Sequence, residues 1–376
     1  MSDLCANKDV CGSCGWSHIP YPKQIKQKLS DINGTFALQK LDIRCEQIVP
    51  APETSHYRDR MDFVIDFEGR VGMRQKGKWW RVVDNNHCFL ADERIEELFN
   101  VVRQWSIDCG LTYFDRKRHH GLLRYAVIRT TSTGQSMITI VTSAPADAEE
   151  EKKAQEALEV LSSTQRLTTL IWSINHTITD VSFGDELRIV YGPGYIEEVI
   201  NSVRYRITPN AFFQTNPRAA AILQNTVLEF AGDVSESTVV DLYCGSGFLT
   251  LPLAQRAKKV IGVEVVPEAI VDAKVNAELN SIEAEFHTSK TEESDWMQFN
   301  PDVLILDPPR SGMHDSVIAE ILEHRPKKIV YVSCNYKHFA REMVKLGTVY
   351  NVIQMKAIDM FPHTPHVELV SVLVLR

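Results

Sequence analysis

The stretch 241-DLYCGSGFLTL-251 decides the fold class of this chain. It continues an apolar run that begins at Thr238, and it places glycines at positions 245 and 247. Glycine lets the backbone turn sharply and approach a ligand closely, and a helix that begins near Phe248 would point its amide groups at that ligand. The third glycine of the dinucleotide pattern G-x-G-x-x-G is absent. The loop therefore predicts a ligand site without the dinucleotide pattern, and an ordinary turn in an α/β sheet is the alternative.

Apolar runs separated by helical stretches surround that loop. They are TVVDLY (238–243), KVIGVEVV (259–266), DVLILD (302–307), KKIVYVS (327–333), VYNVIQMKAI (349–358) and ELVSVLVL (368–375). Short, nearly continuous apolar strands between helices are typical of a mostly parallel, doubly wound sheet. Ligands of such sheets lie at the carboxyl ends of the strands. The predicted fold class is α/β, with an α+β region ahead of the sheet.

Three side chains follow those carboxyl ends. Glu264 ends the second strand, where a carboxylate can accept the hydroxyl groups of a ribose. Asp307 precedes two prolines, which hold a rigid loop with few backbone donors. Cys334 follows Ser333 in VSCNYKHF, residues 332–339. A lone cysteine is most often a buried core residue, but its place on the ligand rim favours a nucleophile.

The Asp-x-x-Cys-Gly-x-Gly form of the loop resembles the S-adenosylmethionine loop of class I methyltransferases. A thiolate beside a methyl donor suits methylation of uracil, whose C5 carbon is too weakly nucleophilic to react alone. The thiolate adds to C6, and the resulting enolate attacks the methyl group through C5. A base must then remove the C5 proton. Glu368, flanked by His363 and His366, is the candidate base, and an ordinary surface glutamate is the alternative.

Composition places the chain among ordinary globular proteins. Its 376 residues are 44% hydrophobic and 24% charged, with a formal net charge of −8. Because no apolar run suits a membrane span and the first residues lack a secretory signal pattern, we expect a cytoplasmic protein. The acidic balance argues against a general polyanion binder.

Two segments nevertheless carry cations between aromatic rings. They are 70-RVGMRQKGKWWR-81 and 114-FDRKRHHGLLRY-125. Cations that can meet phosphates, beside rings that can stack on bases, indicate RNA recognition. Solvated faces of two hairpins are the alternative.

The sequence pattern divides the chain into three segments. Residues 1–95 hold a cysteine-rich start and a hairpin, residues 96–205 a central α+β region, and residues 206–376 the doubly wound sheet. Helices are predicted in DERIEELFNVVRQW (92–105), in ADAEEEKKAQEALEVL (146–161) and in PYPKQIKQKLSDI (20–32). The last of these is expected to pack on the sheet domain.

The opening spacing Cys5-x5-Cys11-x2-Cys14 predicts a metal site, because clustered cysteines in a reducing compartment are seldom disulfides. Four thiolates bind either Zn²⁺ or an iron–sulfur cluster, and the spacing does not separate the two. Unliganded cysteines at a flexible terminus are the alternative.

Five motifs carry a family resemblance. NAFFQTNP (210–217), DLYCGSGF (241–248), LDPPRSGM (306–313), VSCN (332–335) and DMFPHTPHVE (359–368) resemble, in this order, those of the RNA (uracil-C5)-methyltransferases. The resemblance implies an S-adenosylmethionine-dependent enzyme with Cys334 as nucleophile and Glu368 as base. It also implies cofactor contacts from Gln214, Tyr243, Gly245, Gly247, Glu264 and Asp307.

Within this family the chain resembles the branch that methylates uridine 747 of 23S ribosomal RNA. Length, the opening cysteines and the lack of an added RNA-binding barrel carry that likeness, although branch members can carry Asn at the position of Asp307. The resemblance implies a [4Fe-4S] cluster held by Cys5, Cys11, Cys14 and Cys88, with Cys45 and Cys109 as core residues. A transfer RNA T-loop uridine is the alternative substrate, and a monomer is the expected state.

Two rival functions belong to other classes. Radical chemistry on S-adenosylmethionine uses a C-x3-C-x2-C loop on a barrel, whereas this chain has a longer first spacing and a doubly wound sheet. A non-catalytic RNA-binding scaffold would have no need of Cys334 and Glu368.

Overall fold

A computed structural model describes residues 5–85, 87–163 and 166–376 of the chain. The helices are α1 Tyr21–Leu38, α2 Glu93–Asp108, α3 Ala148–Ser163, α4 Pro217–Ala231, α5 Thr250–Ala254, α6 Pro267–Leu279, α7 Asp315–His324 and α8 Tyr336–Leu346. The strands are β1 Ile48–Val49, β2 Arg60–Ile65, β3 Val71–Gln75, β4 Lys78–Asp84, β5 Leu123–Thr130, β6 Ser136–Ser143, β7 Thr169–Asn175, β8 Glu186–Tyr191, β9 Ile196–Ile200, β10 Val203–Ile207, β11 Thr238–Leu242, β12 Lys259–Glu264, β13 Glu285–Thr288, β14 Val303–Leu306, β15 Lys328–Ser333, β16 Tyr350–Ile358 and β17 Glu368–Leu375.

The chain forms two compact units. The first contains residues 1–18, 53–198 and 207–210, and the second contains residues 19–52, 199–206 and 211–376. These units differ from the three segments drawn on the sequence. The first unit's sheet crosses the boundary drawn at residue 95, because β2 pairs with β5. The second unit takes in residues 19–52, which lie far from the rest of it in sequence.

An eight-stranded sheet forms the centre of the second unit, in the order β1-β16-β17-β15-β14-β11-β12-β13. The pairs β11–β12, β11–β14, β12–β13, β14–β15 and β1–β16 are parallel. β17 is antiparallel to both of its neighbours, β15 and β16. The mostly parallel, doubly wound sheet expected from the sequence is confirmed.

Helices cover this sheet and bury its apolar strands. α4 packs against β15, β16 and β17, while α6 packs against β12 and β13. Asparagine side chains cap two of the helices: Asn216 accepts the Ala219 amide of α4, and Asn335 accepts the Lys337 amide of α8. Such caps satisfy backbone donors that have no partner within the helix. The second cap starts α8 directly after Cys334.

Helix α1 packs against α8 within the second unit, as the sequence predicted. Its buried residues are Gln24, Lys28, Ile32 and Phe36, a spacing of four that places them on one face. Ile32 and Phe36 join the apolar core, and the Phe36 ring lies 5.9 Å from that of Phe339. The other two buried residues are polar, which is uncommon for a core-facing stripe.

The first unit contains a seven-stranded sheet in the order β4-β3-β2-β5-β6-β7-β8. Its neighbours are antiparallel except for β6 and β7. The predicted hairpin of β2 and β3 is present, as are helices α2 and α3. Asp92 caps α2 by accepting the Arg94 amide. None of the helices in the described ranges is long and apolar enough to cross a bilayer.

Candidate active site

The glycine loop after β11 lies beside the carboxylate at the end of β12. The Gly245 amide donates to Glu264 Oε2 at 3.1 Å, and the Val266 amide donates to Oε1 at 2.9 Å. Gly245 and Gly247 have positive φ angles of 55° and 89°, which favour glycine. Two backbone donors thus fix the half-buried Glu264 carboxylate next to the loop. The helix after the loop begins at Thr250, later than the sequence suggested, and is only five residues long.

Buried side chains support the loop from below. Cys244 is buried, and a Cβ on Gly262 would come within 2.8 Å of its Sγ, so the thiol fills the space under the loop. Asp241 is also buried and accepts from Thr250 Oγ1 at 2.6 Å. Burial, followed by the charges of Asp307 and Glu264, raises the pKa of Asp241 to about 7. Sequence reasoning missed Asp241, although an acidic residue inside an apolar strand was a signal.

Two further predicted cofactor residues, Tyr243 in the loop and Gln214 ahead of α4, are both half-buried. Tyr243 has a φ of 68° and is half-buried, and its side chain hydrogen-bonds to Thr291. Burial raises the pKa of Tyr243 to about 12, so its hydroxyl keeps its proton. Gln214 is half-buried two residues before the α4 cap Asn216. Asn216 Nδ2 in turn donates to the Met360 carbonyl at 2.8 Å.

The thiol and two carboxylates come together at the carboxyl rim of the sheet. In the antiparallel pair of β15 and β17, Ser333 lies opposite Leu369. One further step of that register brings Cys334 beside Glu368. Asp307 follows β14, the other neighbour of β15, and its amide donates to the Leu242 carbonyl at 3.4 Å. The rim therefore joins residues that the sequence places up to 61 positions apart, from 307 to 368.

Burial raises the pKa of each acid at this rim, and charge repulsion adds to it for Glu368 and Cys334. Burial, and then the charge of Asp307, raises the pKa of Glu368 to about 8, and only 8% of this residue is exposed. Burial alone raises the pKa of Asp307 to about 7. Burial, followed by the charges of Glu368 and Asp307, raises the pKa of Cys334 to about 12. Perturbed acids in one cluster are typical of a catalytic site.

Two features oppose the high pKa of the Cys334 thiol. The Arg310 guanidinium lowers that pKa by its positive charge. Cys334 also directly precedes the Asn335 cap of the eleven-residue helix α8, and a helix N-terminus favours a thiolate. The chain therefore has the means to stabilise the ionised nucleophile once the neighbouring carboxylates lose their charge.

The four predicted metal ligands are electrostatic neighbours in the first unit. Burial is the largest cause of the raised pKa of Cys5, Cys14 and Cys88. Charges of other thiols in the set add to it: Cys11 acts on Cys5, Cys5 and Cys11 act on Cys14, and Cys14 and Cys11 act on Cys88. Among the residues described, no three His, Cys, Asp or Glu side chains are arranged as a metal-binding group. The iron–sulfur cluster therefore stays a prediction.

Two further cysteines take no part in that set. Cys45 is buried in the second unit's core, and its Sγ donates to the Gln47 carbonyl at 3.3 Å. Cys109 ends α2 in the first unit, and its Sγ contacts the Ser106 carbonyl at 3.6 Å. Cys45 is the core residue that the resemblance implied, whereas Cys109 is only half-buried.

The cationic segments of the first unit differ from the sequence-based picture in two ways. Arg124 is buried, stacks over Phe114 and donates to the Thr177 carbonyl at 2.8 Å, so it is a structural residue. Arg74 and Arg116 both pair with Asp180, at 2.6 Å in each case. This acidic partner could not be predicted from the sequence, because Asp180 lies in a separate loop, far along the chain from both arginines.

Aromatic rings remain accessible next to those ion pairs. Trp79 and Trp80 are 57% and 55% exposed. The Arg116 guanidinium lies 4.6 Å from the Trp79 ring centroid and covers one face of that ring. Exposed cations near these rings in sequence are Lys76, Lys78 and Arg81, and two more, Lys117 and Arg118, directly follow Arg116. The rings and these cations form the stacking surface, a name we use below for these seven residues.

A sheet with one antiparallel strand near its end and a glycine loop facing a carboxylate defines a class I methyltransferase, here with a thiol at its rim. Residues 20–376 match the family described as tRNA (Uracil-5-)-methyltransferase. The chain belongs to this family and is an S-adenosylmethionine-dependent RNA (uracil-5-)-methyltransferase.

Similar proteins agree with this assignment over nearly the whole chain. The tRNA (uracil(54)-C(5))-methyltransferase of Pyrococcus furiosus is 36% identical over 96% of this chain and 82% of the relative. That of Pyrococcus horikoshii is 35% identical over 97% of this chain and 84% of the relative. The crystal structure of Pyrococcus abyssi tRNA (uracil-54, C5)-methyltransferase in complex with S-adenosyl-L-homocysteine has a TM-score of 0.82 and 32% identity, covering 97% of this chain and 86% of that one.

Proposed function

We propose that Cys334 is the nucleophile and Glu368 the general base of this RNA (uracil-5-)-methyltransferase. The observation that carries the proposal is the placement of this thiol and carboxylate at adjacent ends of β15 and β17. Gly245, Gly247 and Glu264 would hold the nucleoside part of the cofactor, with Gln214, Tyr243 and Asp307 as further contacts. S-adenosylmethionine supplies an electrophilic methyl group when it is bound in that loop.

The reaction divides into three steps, which are addition, methyl transfer and elimination. The Cys334 thiolate adds to C6 of the uracil, and the C5–C6 π electrons move toward the C4 carbonyl to give an enolate. C5 then forms a bond to the methyl carbon as the bond from that carbon to sulfonium sulfur breaks. Glu368 takes the proton from C5, and the electrons of that C–H bond re-form C5=C6 as the bond from C6 to Cys334 breaks. The thiolate is thereby regenerated, and the base leaves the cycle protonated.

The raised pKa of Glu368 suits its role. A carboxylate with a pKa of about 8 is a stronger base than an ordinary glutamate, so Glu368 can accept a carbon-bound proton more readily. The resting thiol at a pKa of about 12 keeps its proton at neutral pH, so this proton must leave to solvent before Cys334 can add to C6. Arg310 and the N-terminus of α8 would favour the thiolate once substrate occupies the rim.

The substrate RNA has two candidates with different support. Three Pyrococcus proteins at 32–36% identity carry names that state uracil 54 of transfer RNA, which favours a transfer RNA T-loop uridine. The motif likeness and the opening cysteines favour uridine 747 of 23S ribosomal RNA. Both uridines would lie in loops, where a base is flipped at low energetic cost. We place transfer RNA first, because sequence identity over the whole chain supports it.

Methylation of defined transcripts tests both parts of the proposal. The full chain is given labelled S-adenosylmethionine with a transfer RNA transcript, or with a 23S hairpin fragment, and the labelled nucleotide is mapped. We expect 5-methyluridine in the transfer RNA loop. Glu368→Gln should trap a covalent RNA adduct that survives a denaturing gel, because the C5 proton stays on the ring. Label in the 23S fragment alone would reverse the substrate order, and free RNA product from Glu368→Gln would refute the base.

We also propose that Cys5, Cys11, Cys14 and Cys88 hold a [4Fe-4S] cluster. Four thiols close enough that the charges of some raise the pKa of Cys5, Cys14 and Cys88 have the donor set of such a site, since a metal removes this repulsion by binding the thiolates. Protein purified without oxygen should be brown and contain iron, and Cys11→Ser should lose both. Cys109→Ser is the matched control. A colourless preparation with stoichiometric zinc would refute the cluster.

The first unit is proposed as the RNA-recognition region, with the stacking surface as its contact. The exposed Trp79 and Trp80 offer rings on which bases can stack, and the exposed cations can displace counterions from phosphates. Replacing Lys76 and Lys78 together by alanine should weaken RNA binding while S-adenosylmethionine binding stays the same. A fall in cofactor affinity of similar size would contradict this division of labour.

A further inference from the structure

Most of the connection between β16 and β17, residues 359–366 of 359–367, is held by the polar half of helix α1. We call residues 359–366 the base segment, because it ends two residues before Glu368. Lys28 Nζ donates to Asp359 Oδ1 at 2.7 Å and to the Phe361 carbonyl at 3.2 Å. The ion pair of Lys28 and Asp359 is fully buried on both sides.

A second contact lies one helical turn earlier on the same face. Gln24 Oε1 accepts the His363 amide at 2.8 Å, and Gln24 Nε2 lies 3.0 Å from His363 Nδ1. His363 has a φ of 66°, a conformation that costs a non-glycine residue free energy and persists only when its surroundings hold it. The two hydrogen bonds between Gln24 and His363 stabilise this backbone conformation.

Both ends of the base segment converge on the proposed base. At one end, Asp359 directly follows Ile358, and Ile358 is the cross-strand partner of Glu368 in the pair of β16 and β17. At the other end, residue 367 leads into Glu368 itself. Because Glu368 is paired with Ile358 in the sheet, its backbone cannot adjust independently of these neighbours. A shift at Asp359 or His363 would therefore be passed on to the Glu368 backbone.

Stability alone does not account for polar residues at these positions. A buried ion pair contributes little compared with well-packed apolar residues of similar size, because both charges lose their water. The next buried residues of α1, Ile32 and Phe36, are apolar and pack in the core. The two polar buried residues of α1, Gln24 and Lys28, are those that contact the base segment. This points to a role in fixing the position of that segment.

We propose that Lys28 and Gln24 are positioning residues that set the height of the Glu368 carboxylate over the C5 carbon of the bound uracil. This inference rests on the proposed function, in which Glu368 removes the C5 proton. Neither residue touches substrate or cofactor in this scheme. Their loss should slow proton removal while leaving nucleophilic addition and methyl transfer nearly unchanged.

Single-turnover kinetics separate those steps. The variants Lys28→Met and Gln24→Leu are mixed with S-adenosylmethionine and RNA, and formation and decay of the covalent adduct are followed on denaturing gels. We expect adduct decay to slow by about 10- to 100-fold, the effect of a misplaced reacting group, with adduct formation within about threefold of the parent enzyme. Substrate RNA carrying deuterium at C5 should slow decay further in both variants.

Ile32→Ala is the matched control, because it weakens the same buried face one turn from Lys28 without touching the base segment. It should lower the melting temperature and leave the ratio of adduct decay to formation as in the parent. If Lys28→Met folds poorly, Lys28→Met combined with Asp359→Asn removes the unpaired charge and still lacks the bond to Phe361.

The outcomes distinguish the two proposals. Slow decay in the Lys28 and Gln24 variants, but not in Ile32→Ala, supports positioning. Alternatively, the ratio of adduct decay to adduct formation in the Lys28 and Gln24 variants equals that of Ile32→Ala, while Glu368→Gln still traps the adduct. This result overturns the positioning role and leaves the proposed function standing. A Glu368→Gln enzyme that releases product normally overturns the base assignment, and the positioning proposal with it.

Discussion

Charged side chains are used in opposite ways in the two units of the chain. In the first unit, Arg74 and Arg116 share the Asp180 carboxylate beside accessible tryptophan rings. In the second unit, the pKa values of the acids Asp307, Cys334 and Glu368 all rise, although the Arg310 cation lies close to Cys334. The permanent charges of these arginines do not depend on pH near neutrality, which suits recognition of a constant partner such as a phosphate. Acids held near their neutral form suit proton transfer, because a small change in surroundings alters their charge.

The largest expected effect tests the acidic rim directly. Cys334→Ala should reduce RNA methylation by at least about 10⁴-fold, as loss of a covalent nucleophile does elsewhere. S-adenosylmethionine affinity, measured by calorimetry, should stay within about threefold. Cys109→Ala, a half-buried thiol of the first unit, is the control and should keep full activity. Turnover by Cys334→Ala would place the chemistry elsewhere.

The pH dependence of adduct decay is expected to be the next largest effect. Glu368 must be ionised to take the C5 proton, and its pKa is about 8. Decay should therefore fall as the pH drops below 8, approaching tenfold for each pH unit, and level off above it; the expected drop between pH 8 and pH 6 is about 50-fold. The measurement is single-turnover decay across buffers at constant ionic strength. A flat profile from pH 6 to pH 9 would argue that the carboxylate is already ionised in the complex.

Removal of a stacking ring tests the recognition side of the comparison. Trp79→Ala should weaken RNA binding by about 5- to 150-fold, since base stacking contributes about 1–3 kcal/mol. Catalysis at saturating RNA should change little. Ile107→Ala, an exposed apolar residue on α2, provides a control of similar exposure. Equal losses in both variants would show a general effect on the fold of the first unit.

The smallest expected effect concerns the acid that pairs with the two arginines. Asp180→Asn should free the charges of Arg74 and Arg116 and strengthen RNA binding a few-fold at low salt. The slope of the logarithm of the binding constant against the logarithm of the salt concentration should become steeper by about one. The parent and variant are compared by titration at several salt concentrations. If binding weakens with an unchanged salt slope, Asp180 serves to orient the arginines.

Local patterns in the sequence were sufficient for the second unit's sheet and much of its rim. The apolar runs 238–243, 302–307 and 327–333 became β11, β14 and β15, and the residues after them reached the rim because carboxyl ends of parallel strands share one edge. The two short strands β1 and β13 were not predicted. β1 has only two residues and pairs with β16 across 309 positions of sequence, from 48 to 357, so no local pattern marks it.

Interactions between distant segments account for the other differences. The burial of Arg124 depends on carbonyls near residue 177, and the pairing of Arg74 depends on Asp180. From the sequence alone, Lys28 would be taken for an exposed helix lysine, because its buried partner Asp359 lies far along the chain. A charge pattern gives the type of side chain but not its partner, and the partner decides whether a cation is available to RNA.

Strand β17 has a consequence for how the enzyme is made. It lies between β15 and β16, so both of these strands have an open edge until residues 368–375 have been synthesised. Domains generally fold as units during synthesis, and unpaired strand edges favour aggregation. A nascent chain that has reached residue 360 therefore has its cofactor loop and its thiol but neither a closed sheet nor a base. Such a chain would be exposed to chaperones and proteases, and it would have no means of releasing an RNA that it had attacked.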